Sequence, residues 1–349
     1  MSYFRKEIDD MSGYVPGEQP KGMTFIKLNT NENPYPPSPE VEKVLRNFDS
    51  SRLRLYPDPL CDELRDTAAS LYGVGRENII AGNGSDDILT IAIRSFTSEK
   101  KALACLNPSY SLYKVLARIQ GAPCKEIKLN SDFSLPDDLL EQSKGAGLFI
   151  FARPNAPTGN AFPMKSIEKF CAGFDGAVMI DEAYADFADD NCMQLVGKYP
   201  NVIIGRTLSK SYSLAGARLG LAVASPAIID GMMKVKDSYN VNMLTQKLAA
   251  VAMRDQAYFK EVTSKIKNTR ARLSGELKKF GFTVTNSETN FLFVSPPGGN
   301  GEGYYKFLRE NLILVRYFSG PVTGPYVRIT IGTDEETDKL LEITSKYSG

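Results

Sequence analysis

The length, composition and charge of this chain limit what it can be. It has 349 residues, 42% of them hydrophobic, which suits two domains or one large domain with a smaller one. The 42 Lys and Arg residues nearly balance the 41 Asp and Glu residues, and a formal charge of +1 argues against a nucleic-acid or membrane-surface protein. The absence of histidine excludes serine–histidine and cysteine–histidine catalysis and HExxH zinc sites, so we predict no metal site. Any proton transfer must use Lys, Tyr, Cys, a carboxylate or a cofactor.

The N-terminal segment and the cysteines favour a cytoplasmic protein. The chain begins MSYFRKEIDD, which is charged, so we expect no secretory signal, and no apolar run approaches the ~20 residues of a membrane span. The five cysteines form no CxxC pair and are odd in number, which predicts reduced thiols.

The predicted elements begin with an extended arm. The segments "SGYVPGEQP" and "LNTNENPYPPSP" are rich in Gly, Pro and Asn, which is typical of extended backbone. Ser38 is a suitable N-cap for a helix over 39–48. The "YPDP" at 56–59 predicts a rigid break, and Pro59 can begin the next helix, which ends near Gly73.

Short apolar strands then alternate with helices. Seven such strands are predicted, within "ENIIAGNG", "ALACL", "CKEIKL", "GLFIFARP", "AVMIDEAY", "NVIIGRT" and "LGLAVAS". Continuous apolar runs separated by helices predict an α/β fold with a mostly parallel seven-stranded sheet that is covered on both faces. Open sheets of this kind bind ligands at the ends of their strands.

The pattern changes after Ser225. Long helices are predicted over 226–280, followed by strands in "FTVTNS", "NFLFVS", "ILVRYF" and "YVRITIG". This predicts a smaller α+β domain. We therefore divide the chain into an N-terminal arm with the first part of the small domain (1–48), a large domain (49–265) and a C-terminal small domain (266–349).

Three loops at predicted strand ends carry side chains suited to chemistry. "AGNGSDD" at 81–87 leads into a helix N-terminus, whose free N–H groups bind anions; the ordinary alternative is an N-cap by Ser85. "RPNAPTGN" places Asn155 after a strand, where a proline-rich turn is the alternative. "MIDEAYADF" places Asp181 at a strand end, followed by Tyr184. A carboxylate there is costly unless it meets a cation, and a solvated loop acid is the alternative.

A fourth loop, "RTLSKSYSLAGARLG" at 206–220, surrounds Lys210 with hydroxyl residues and is followed by Arg218. Alone it would be a solvated loop. Together the four loops describe a receptor for pyridoxal 5′-phosphate: a Lys amine for its aldehyde, an Asp for its ring nitrogen, an aromatic ring to stack on it, and a helix N-terminus, hydroxyls and an Arg for its phosphate. Lys210 would then carry the proton between carbon atoms, so no histidine is needed.

The motifs "RPNAPTG", "IDEAY" and "TLSKSYSLAGARLG", in this order and spacing, resemble those of the fold-type-I pyridoxal-phosphate-dependent aminotransferases. Further motifs make the chain similar to the histidinol-phosphate aminotransferases over essentially its whole length. They are "YVPG" at 14–17, "LNTNENPYPPSP", "LYPDP", "AGNGSDDIL", "PSYSLY", "LVRYF" and "YVRITIG".

The resemblance implies roles around the cofactor, with 49–265 as its binding domain. Lys210 forms the Schiff base, Asp181 pairs with the pyridine nitrogen, and Tyr184 and Asn155 hydrogen-bond the ring oxygen. Tyr110 of "PSYSLY" stacks on the ring. The cofactor phosphate is held by the backbone at Ser85 and Asp86, by Thr207, Ser209 and Arg218, and by Tyr56 from the neighbouring subunit of a homodimer.

The resemblance also implies a substrate site for histidinol phosphate and for glutamate or 2-oxoglutarate. Arg328 binds chiefly the carboxylate of the amino-acid partner. Arg316 and Tyr14 are placed for the phosphate of histidinol phosphate, with Asn33 nearby. An internal salt bridge of Arg316 to an acid is the alternative. Arg153 departs from the family pattern, which often has a small or amide residue there, and we expect it to narrow or recharge the site.

Other functions share these motifs. An aromatic amino acid aminotransferase and a threonine-phosphate decarboxylase use the same carbanion chemistry, so the cofactor residues do not separate them from transamination of histidinol phosphate. A more remote alternative is a non-catalytic module that senses pyridoxal phosphate. No nucleic-acid or membrane partner is expected.

Overall fold

The computed structural model describes residues 2–20 and 24–348. Its strands are β1 (Ile26–Lys27), β2 (Ile79–Gly82), β3 (Ala102–Asn107), β4 (Cys124–Lys128), β5 (Ala146–Ala152), β6 (Ala177–Asp181), β7 (Val202–Thr207), β8 (Gly220–Ala224), β9 (Thr283–Val284), β10 (Phe291–Ser295), β11 (Ile313–Leu314), β12 (Arg316–Tyr317) and β13 (Val327–Thr330). Its α-helices are α1 (Lys6–Asp9), α2 (Pro39–Arg46), α3 (Asp62–Tyr72), α4 (Ser85–Phe96), α5 (Leu112–Gln120), α6 (Leu139–Gln142), α7 (Met164–Gly173), α8 (Pro226–Met233), α9 (Met243–Arg254), α10 (Gln256–Lys279), α11 (Gly301–Glu310) and α12 (Asp334–Thr344).

The larger sheet has seven strands in the order β2-β8-β7-β6-β5-β3-β4. Strands β7, β6, β5, β3 and β4 run parallel, whereas β8 is antiparallel to both β7 and β2. The predicted α/β fold with a mostly parallel seven-stranded sheet is confirmed. Successive residues of a strand point to opposite faces of the sheet. Here they are buried in two different cores, which shows that both faces are covered. In β5, Phe149 and Phe151 pack into one core and Leu148 and Ile150 into the other, all of them fully buried.

The ends of the first long helices depart slightly from the sequence prediction. Ser38 caps α2 by accepting a hydrogen bond from the Glu40 amide, as an N-cap should. The next helix, α3, begins at Asp62 and not at Pro59, so that prediction was wrong. The reason is local: Cys61, which precedes the helix, has a left-handed φ of 55°, and the Asp62 amide donates to the Asp58 carboxylate.

A second core joins the N-terminal segment to the C-terminal part of the chain. Strands β12, β13, β10 and β9 form an antiparallel sheet, and β1 pairs in parallel with β11. The prediction of "ILVRYF" as one strand was wrong. The chain changes sheets at Val315, because Ile313–Leu314 pairs with β1 whereas Arg316–Tyr317 pairs with β13.

Helix α10 runs through the predicted domain boundary at residue 265. Its residues Val262, Ile266 and Leu273 are buried in the second core, along with Phe291 of β10 and Ile329 of β13. The division of the chain at residues 48 and 265 remains a proposal. Among the helices of the described ranges, none is both long and apolar enough to cross a membrane.

Candidate active site

A cavity of about 530 Å³ opens where the parallel strands of the large sheet end and the second core begins. In register, Ala152 of β5 pairs with Asp181 of β6, and Asp181 pairs with Gly205 of β7. Because parallel strands present their carboxyl ends at one edge, the loops that follow them meet at this cavity. Its lining includes most of the predicted site residues: Tyr14, Ser85, Asp86, Tyr110, Asp181, Tyr184, Thr207, Ser209, Lys210, Arg218, Arg316 and Arg328.

Lys210 lies half-buried in the loop after β7, with its amine in the cavity. Its Nζ donates a hydrogen bond to the carbonyl of Thr30, 3.2 Å away. Burial, with the positive charge of Arg328, lowers the pKa of Lys210 to about 8, although Glu32 and Asp86 act in the opposite direction. A Lys with this pKa is partly neutral near pH 7, and the neutral amine is the nucleophile.

Asp181 is a buried acid without a cation. It ends β6, and burial raises its pKa to about 6. Two hydrogen bonds oppose that rise, from the hydroxyl of Tyr113 at 2.7 Å and from the amide of Ala183 at 3.1 Å. Within residues 2–20 and 24–348, no Lys or Arg forms an ion pair with Asp181. The carboxylate therefore offers a place for a positively charged donor.

Sequence reasoning missed Tyr113. The motif "PSYSLY" was used only for Tyr110, although Tyr113 stands three residues later. Tyr110 precedes helix α5 and Tyr113 lies in its first turn, so the nearness of a second tyrosine in the motif was the only available signal. The contact with Asp181 depends on how α5 packs on the sheet, so the sequence alone does not contain it.

An anion cradle forms at the N-terminus of α4. This helix begins at Ser85, after Gly84, whose φ is +88°. A Cβ at Gly84 would lie 2.5 Å from Nη2 of Arg218, so glycine is needed both for the backbone conformation and for the approach of this guanidinium. Arg218 also pairs with Asp86 at 3.2 Å. Helix N–H groups and an adjacent guanidinium provide what a phosphate binds.

Thr207 and Ser209 extend the cradle from the end of β7. Both side chains are buried, and the Thr207 hydroxyl donates to the carbonyl of Leu219 at 3.2 Å. The amide of Ser209 donates to Oγ1 of Thr207 at 3.2 Å. Thr207 pairs in register with Gly220, which brings these hydroxyl groups beside Arg218 and Gly84.

Aromatic rings form two sides of the cavity. Tyr110 meets Tyr14 and Tyr113 edge to face, with centroids 5.8 and 5.5 Å apart. Tyr184 is buried, accepts a hydrogen bond from Asn31 at 2.9 Å and lies 6.0 Å from the Lys210 amine, measured from its ring centroid. A flat ligand would therefore have aromatic neighbours near Lys210.

Asn155 and Asn33 hold loops and are absent from the cavity lining. The Asn155 amide is fully buried and donates to the carbonyl of Pro108 and to the hydroxyl of Thr158. Asn33 donates to the carbonyls of Lys210 and its neighbour Ser211. Both residues therefore fix loops that surround the cavity without lining it. The predicted direct contacts of these two residues with ligands stay predictions.

Two arginines face the cavity from the second core. Arg316 and Arg328 are cross-strand partners in β12 and β13, and Phe318 lies 5.3 and 5.4 Å from their guanidinium carbons. Among residues 2–20 and 24–348, Arg316 donates only to the carbonyls of Val15 and Pro16. Arg328 donates to the carbonyl of Asn29, and its buried Nε has no hydrogen-bond partner among the described residues.

No acid pairs with either arginine in the part of the chain that the structure describes. The alternative of an internal salt bridge for Arg316 is therefore not found there, and Arg316 is half-buried, not enclosed in an apolar strand. Burial and the charge of Arg316 lower the pKa of Arg328. Like charges directly opposite each other repel, so an anion between them would be stabilising.

Tyr56 lies outside the cavity. Its side chain is 79% exposed and stacks on Tyr239, with ring centroids 4.5 Å apart. Exposed leucines surround it in sequence, namely Leu53, Leu55 and Leu60. The chain itself does not bring Tyr56 to the cradle, so its predicted contact with a phosphate requires a second subunit.

Arg153 does not narrow or recharge the cavity, and that expectation was wrong. Its side chain is only 2% exposed and is directed away from the cavity lining. It donates to the carbonyl of Phe162 at 2.8 Å and pairs with Asp190 at 2.6 Å. The guanidinium therefore fixes the loop after β5 to the loop that contains Asp190.

Comparisons with known proteins agree with this geometry. The family model described as aminotransferase class I and II matches residues 23–343. The chain is 48% identical over 336 residues to a histidinol-phosphate aminotransferase of Microcystis aeruginosa, covering 96% of each chain. It is 44% identical over 349 residues to the Synechocystis protein of the same name, covering 100% of this chain and 99% of that one. The crystal structure of histidinol-phosphate aminotransferase from Sinorhizobium meliloti in complex with pyridoxal 5′-phosphate matches with a TM-score of 0.87 at 25% identity, covering 99% and 98%.

Proposed function

The chain belongs to the class I and II aminotransferase family, and we propose that it transfers the amino group of L-histidinol phosphate to 2-oxoglutarate with pyridoxal 5′-phosphate as cofactor. The products are imidazole-acetol phosphate and L-glutamate, and the step belongs to histidine biosynthesis. Relatives that carry this activity in their name at 43–48% identity over nearly the full chain support the proposal.

The residues of the cavity fit the cofactor. Asp181 is a buried carboxylate that pairs with no Lys or Arg of the described residues, and Lys210 is an amine whose pKa is lowered to about 8. The carboxylate suits the ring nitrogen of the cofactor and the amine suits its aldehyde. Both groups line the same cavity, and this observation carries the proposal. Lys210 would attach to the cofactor covalently, and Asp181 would hold the proton of its ring nitrogen. When bound, the cofactor accepts the electron pair released by the substrate and carries the amino group between the two half-reactions.

Other side chains would hold the cofactor in place. Tyr110 would stack on its ring, and Tyr184 with Asn155 would hydrogen-bond its ring oxygen. The phosphate would be held by the backbone at Ser85 and Asp86 and by the side chains of Thr207, Ser209, Arg218 and the partner subunit's Tyr56. Once substrate has displaced it, the Lys210 amine would remove the substrate's α-proton and deliver it to a carbon of the cofactor.

The arginine pair supplies substrate recognition. Arg328 would bind the carboxylate of glutamate, and Arg316 with Tyr14 would bind the phosphate of histidinol phosphate, with Asn33 holding the Lys210 loop nearby. Neither guanidinium group pairs with an acid among the described residues, and this supports anionic substrates, because a charged partner would stabilise each cation. Val15 and Pro16 supply only carbonyl groups to Arg316, which a phosphate would replace favourably.

We further propose a homodimer in the cytoplasm. The surface stack of Tyr56 and Tyr239, and the exposed leucines near Tyr56 in sequence, support a subunit interface, since exposed apolar groups favour association. The five thiols are unpaired in the structure, which supports a reducing compartment. Tyr56→Ala and Lys210→Ala should each have low activity alone and regain part of it when mixed and allowed to exchange subunits. A monomer in sedimentation at working concentration would contradict the shared site.

A substrate panel tests the activity. The purified protein with cofactor is given histidinol phosphate, phenylalanine and threonine phosphate in parallel, with 2-oxoglutarate as acceptor, and Lys210→Ala serves as control. We expect glutamate to form fastest from histidinol phosphate. Preference for phenylalanine would assign an aromatic aminotransferase, and carbon dioxide released from threonine phosphate would assign a decarboxylase. Cofactor binding without turnover of any substrate would favour a sensing module.

A further inference from the structure

One fully buried tyrosine touches two of the groups that face the cofactor position. Tyr113 is the second residue of α5, and its hydroxyl donates to Oδ2 of Asp181 at 2.7 Å. Its ring meets Tyr110 edge to face at 5.5 Å. Tyr113 is 0% exposed, yet it forms part of the cavity wall.

We propose that Tyr113 is a positioning residue for the transamination proposed above: its hydroxyl keeps Asp181 charged and directed into the cavity, and its ring orients Tyr110. The inference rests on the proposed function for its consequence, but the contacts that carry it are independent of any substrate.

The surroundings of Asp181 make this hydrogen bond important. Burial disfavours the charged carboxylate, and the negative charges of Asp86 and Glu182 disfavour it further. Against them stand two donors, the Tyr113 hydroxyl and the amide of Ala183. Since the amide belongs to the backbone, Tyr113 is the one side chain within the described ranges that hydrogen-bonds this carboxylate.

Tyr113 is suited to remain a donor. Burial raises its pKa well above the usual value for a tyrosine, and the carboxylate of Asp181 raises it further. The hydroxyl therefore keeps its proton at neutral pH. A carboxylate has room for several hydrogen bonds, so the ring nitrogen of a cofactor and the Tyr113 hydroxyl do not compete for the same lone pair.

The test compares Tyr113→Phe with a matched control, Tyr304→Phe. Tyr304 is also fully buried, and its hydroxyl is hydrogen-bonded to Thr344 at 2.7 Å, but it lies in the second core away from the cavity. Each substitution removes one buried hydroxyl and keeps the ring. The loss of stability common to both is measured by thermal unfolding, and kcat is expressed per bound cofactor so that unfolded protein does not count.

For Tyr113→Phe we expect kcat to fall by about tenfold, the typical effect of losing a hydrogen bond to a charged group. The affinity for the cofactor should change by less than about threefold, because its phosphate contacts are intact. Without the Tyr113 hydroxyl, the ring nitrogen of the bound cofactor should carry less positive charge. The nitrogen of Lys210 is then protonated more easily, so its pKa rises and the absorbance of the bound cofactor should titrate at a higher pH. Asp181→Asn should shift the titration in the same direction and further, whereas Tyr304→Phe should leave it at the wild-type pH.

Two results would overturn the inference. One is a Tyr113→Phe protein whose absorbance titration and kcat per bound cofactor equal those of the wild type. The other is an equal change in Tyr304→Phe, which would mean that a buried hydroxyl matters only for stability. If the wild-type protein binds no cofactor at Lys210, the proposed function itself fails, and that result is visible before any variant is made.

Discussion

The two walls of the cavity hold their charged groups in different ways. On the wall built by the large sheet, Asp181 is fixed by two hydrogen bonds, and the carbonyls of Lys210 and Ser211 are both held by Asn33. On the wall built by the second core, Arg316 and Arg328 donate to backbone carbonyls, and both guanidinium groups lie beside the ring of Phe318, with Phe291 also beside Arg328. One wall would bind the same cofactor in every turnover, whereas the other must accept two different substrates in turn. Rigid contacts suit the first task, and exchangeable partners suit the second.

This comparison predicts the largest loss from the rigid wall. Lys210→Ala should retain cofactor binding through the other contacts but lose turnover by at least about 10⁴-fold, because both the covalent attachment and the proton carrier are gone. Lys210→Arg should do no better, since arginine stays protonated. Borohydride reduction followed by peptide mapping should label Lys210 in the wild type. A label on another lysine would end the aminotransferase assignment.

Asp181→Asn should have the second-largest effect. The amide is nearly isosteric but cannot stabilise a positive ring nitrogen, so we expect kcat to fall by at least about 100-fold while cofactor affinity falls much less. Steady-state kinetics and a cofactor titration measure the two quantities separately. Near-normal kcat would show that Asp181 is only a structural acid.

On the other wall, Arg316→Leu should act through KM. Losing a charge-assisted contact of about 1.5–3 kcal/mol should raise the KM for histidinol phosphate by roughly 10–150-fold. The KM for glutamate should change less, because Arg328 is assigned to its carboxylate. Arg309→Leu is the control: Arg309 pairs with Glu18 of the N-terminal arm and does not line the cavity. Equal losses for both substrates would point to a general structural role of Arg316.

The last expected effect is on stability and not on turnover, and its sign follows from the raised pKa of Asp181. Between the usual value of 3.8 and about 6, the folded protein without cofactor binds more protons than the unfolded chain. Its free energy of unfolding therefore falls as the pH rises through this window and stays lower above it, by about 2–3 kcal/mol. Asp181→Asn without cofactor should thus be more stable than the wild type at pH 7–8 and lose that advantage below pH 4. Denaturant unfolding at both pH values checks this; an Asn variant that is less stable at pH 8 would contradict it.

The rigid wall was also the more predictable one. Lys210 and Asp181 follow apolar strands, and the rule that α/β sheets bind ligands at strand ends was enough to bring them together. Tyr113 and the true place of Arg153 were missed, because both depend on which helix or loop packs beside the strand. The break in "ILVRYF" at Val315 could not be predicted from the sequence either. It arises because the residues before and after Val315 pair with strands of two different sheets.

The stacked pair of Tyr56 and Tyr239 has a spectroscopic consequence. The chain contains no tryptophan, so a single Tyr239→Trp substitution would give the protein one fluorophore that emits at longer wavelength than its tyrosines. The stack lies at the surface, where the indole would report on solvent. Dilution that separates subunits should then shift the emission to longer wavelength, while tyrosine emission elsewhere stays constant. Because the chain has no other tryptophan, the fluorescence of a tryptophan at position 239 would report on subunit association alone.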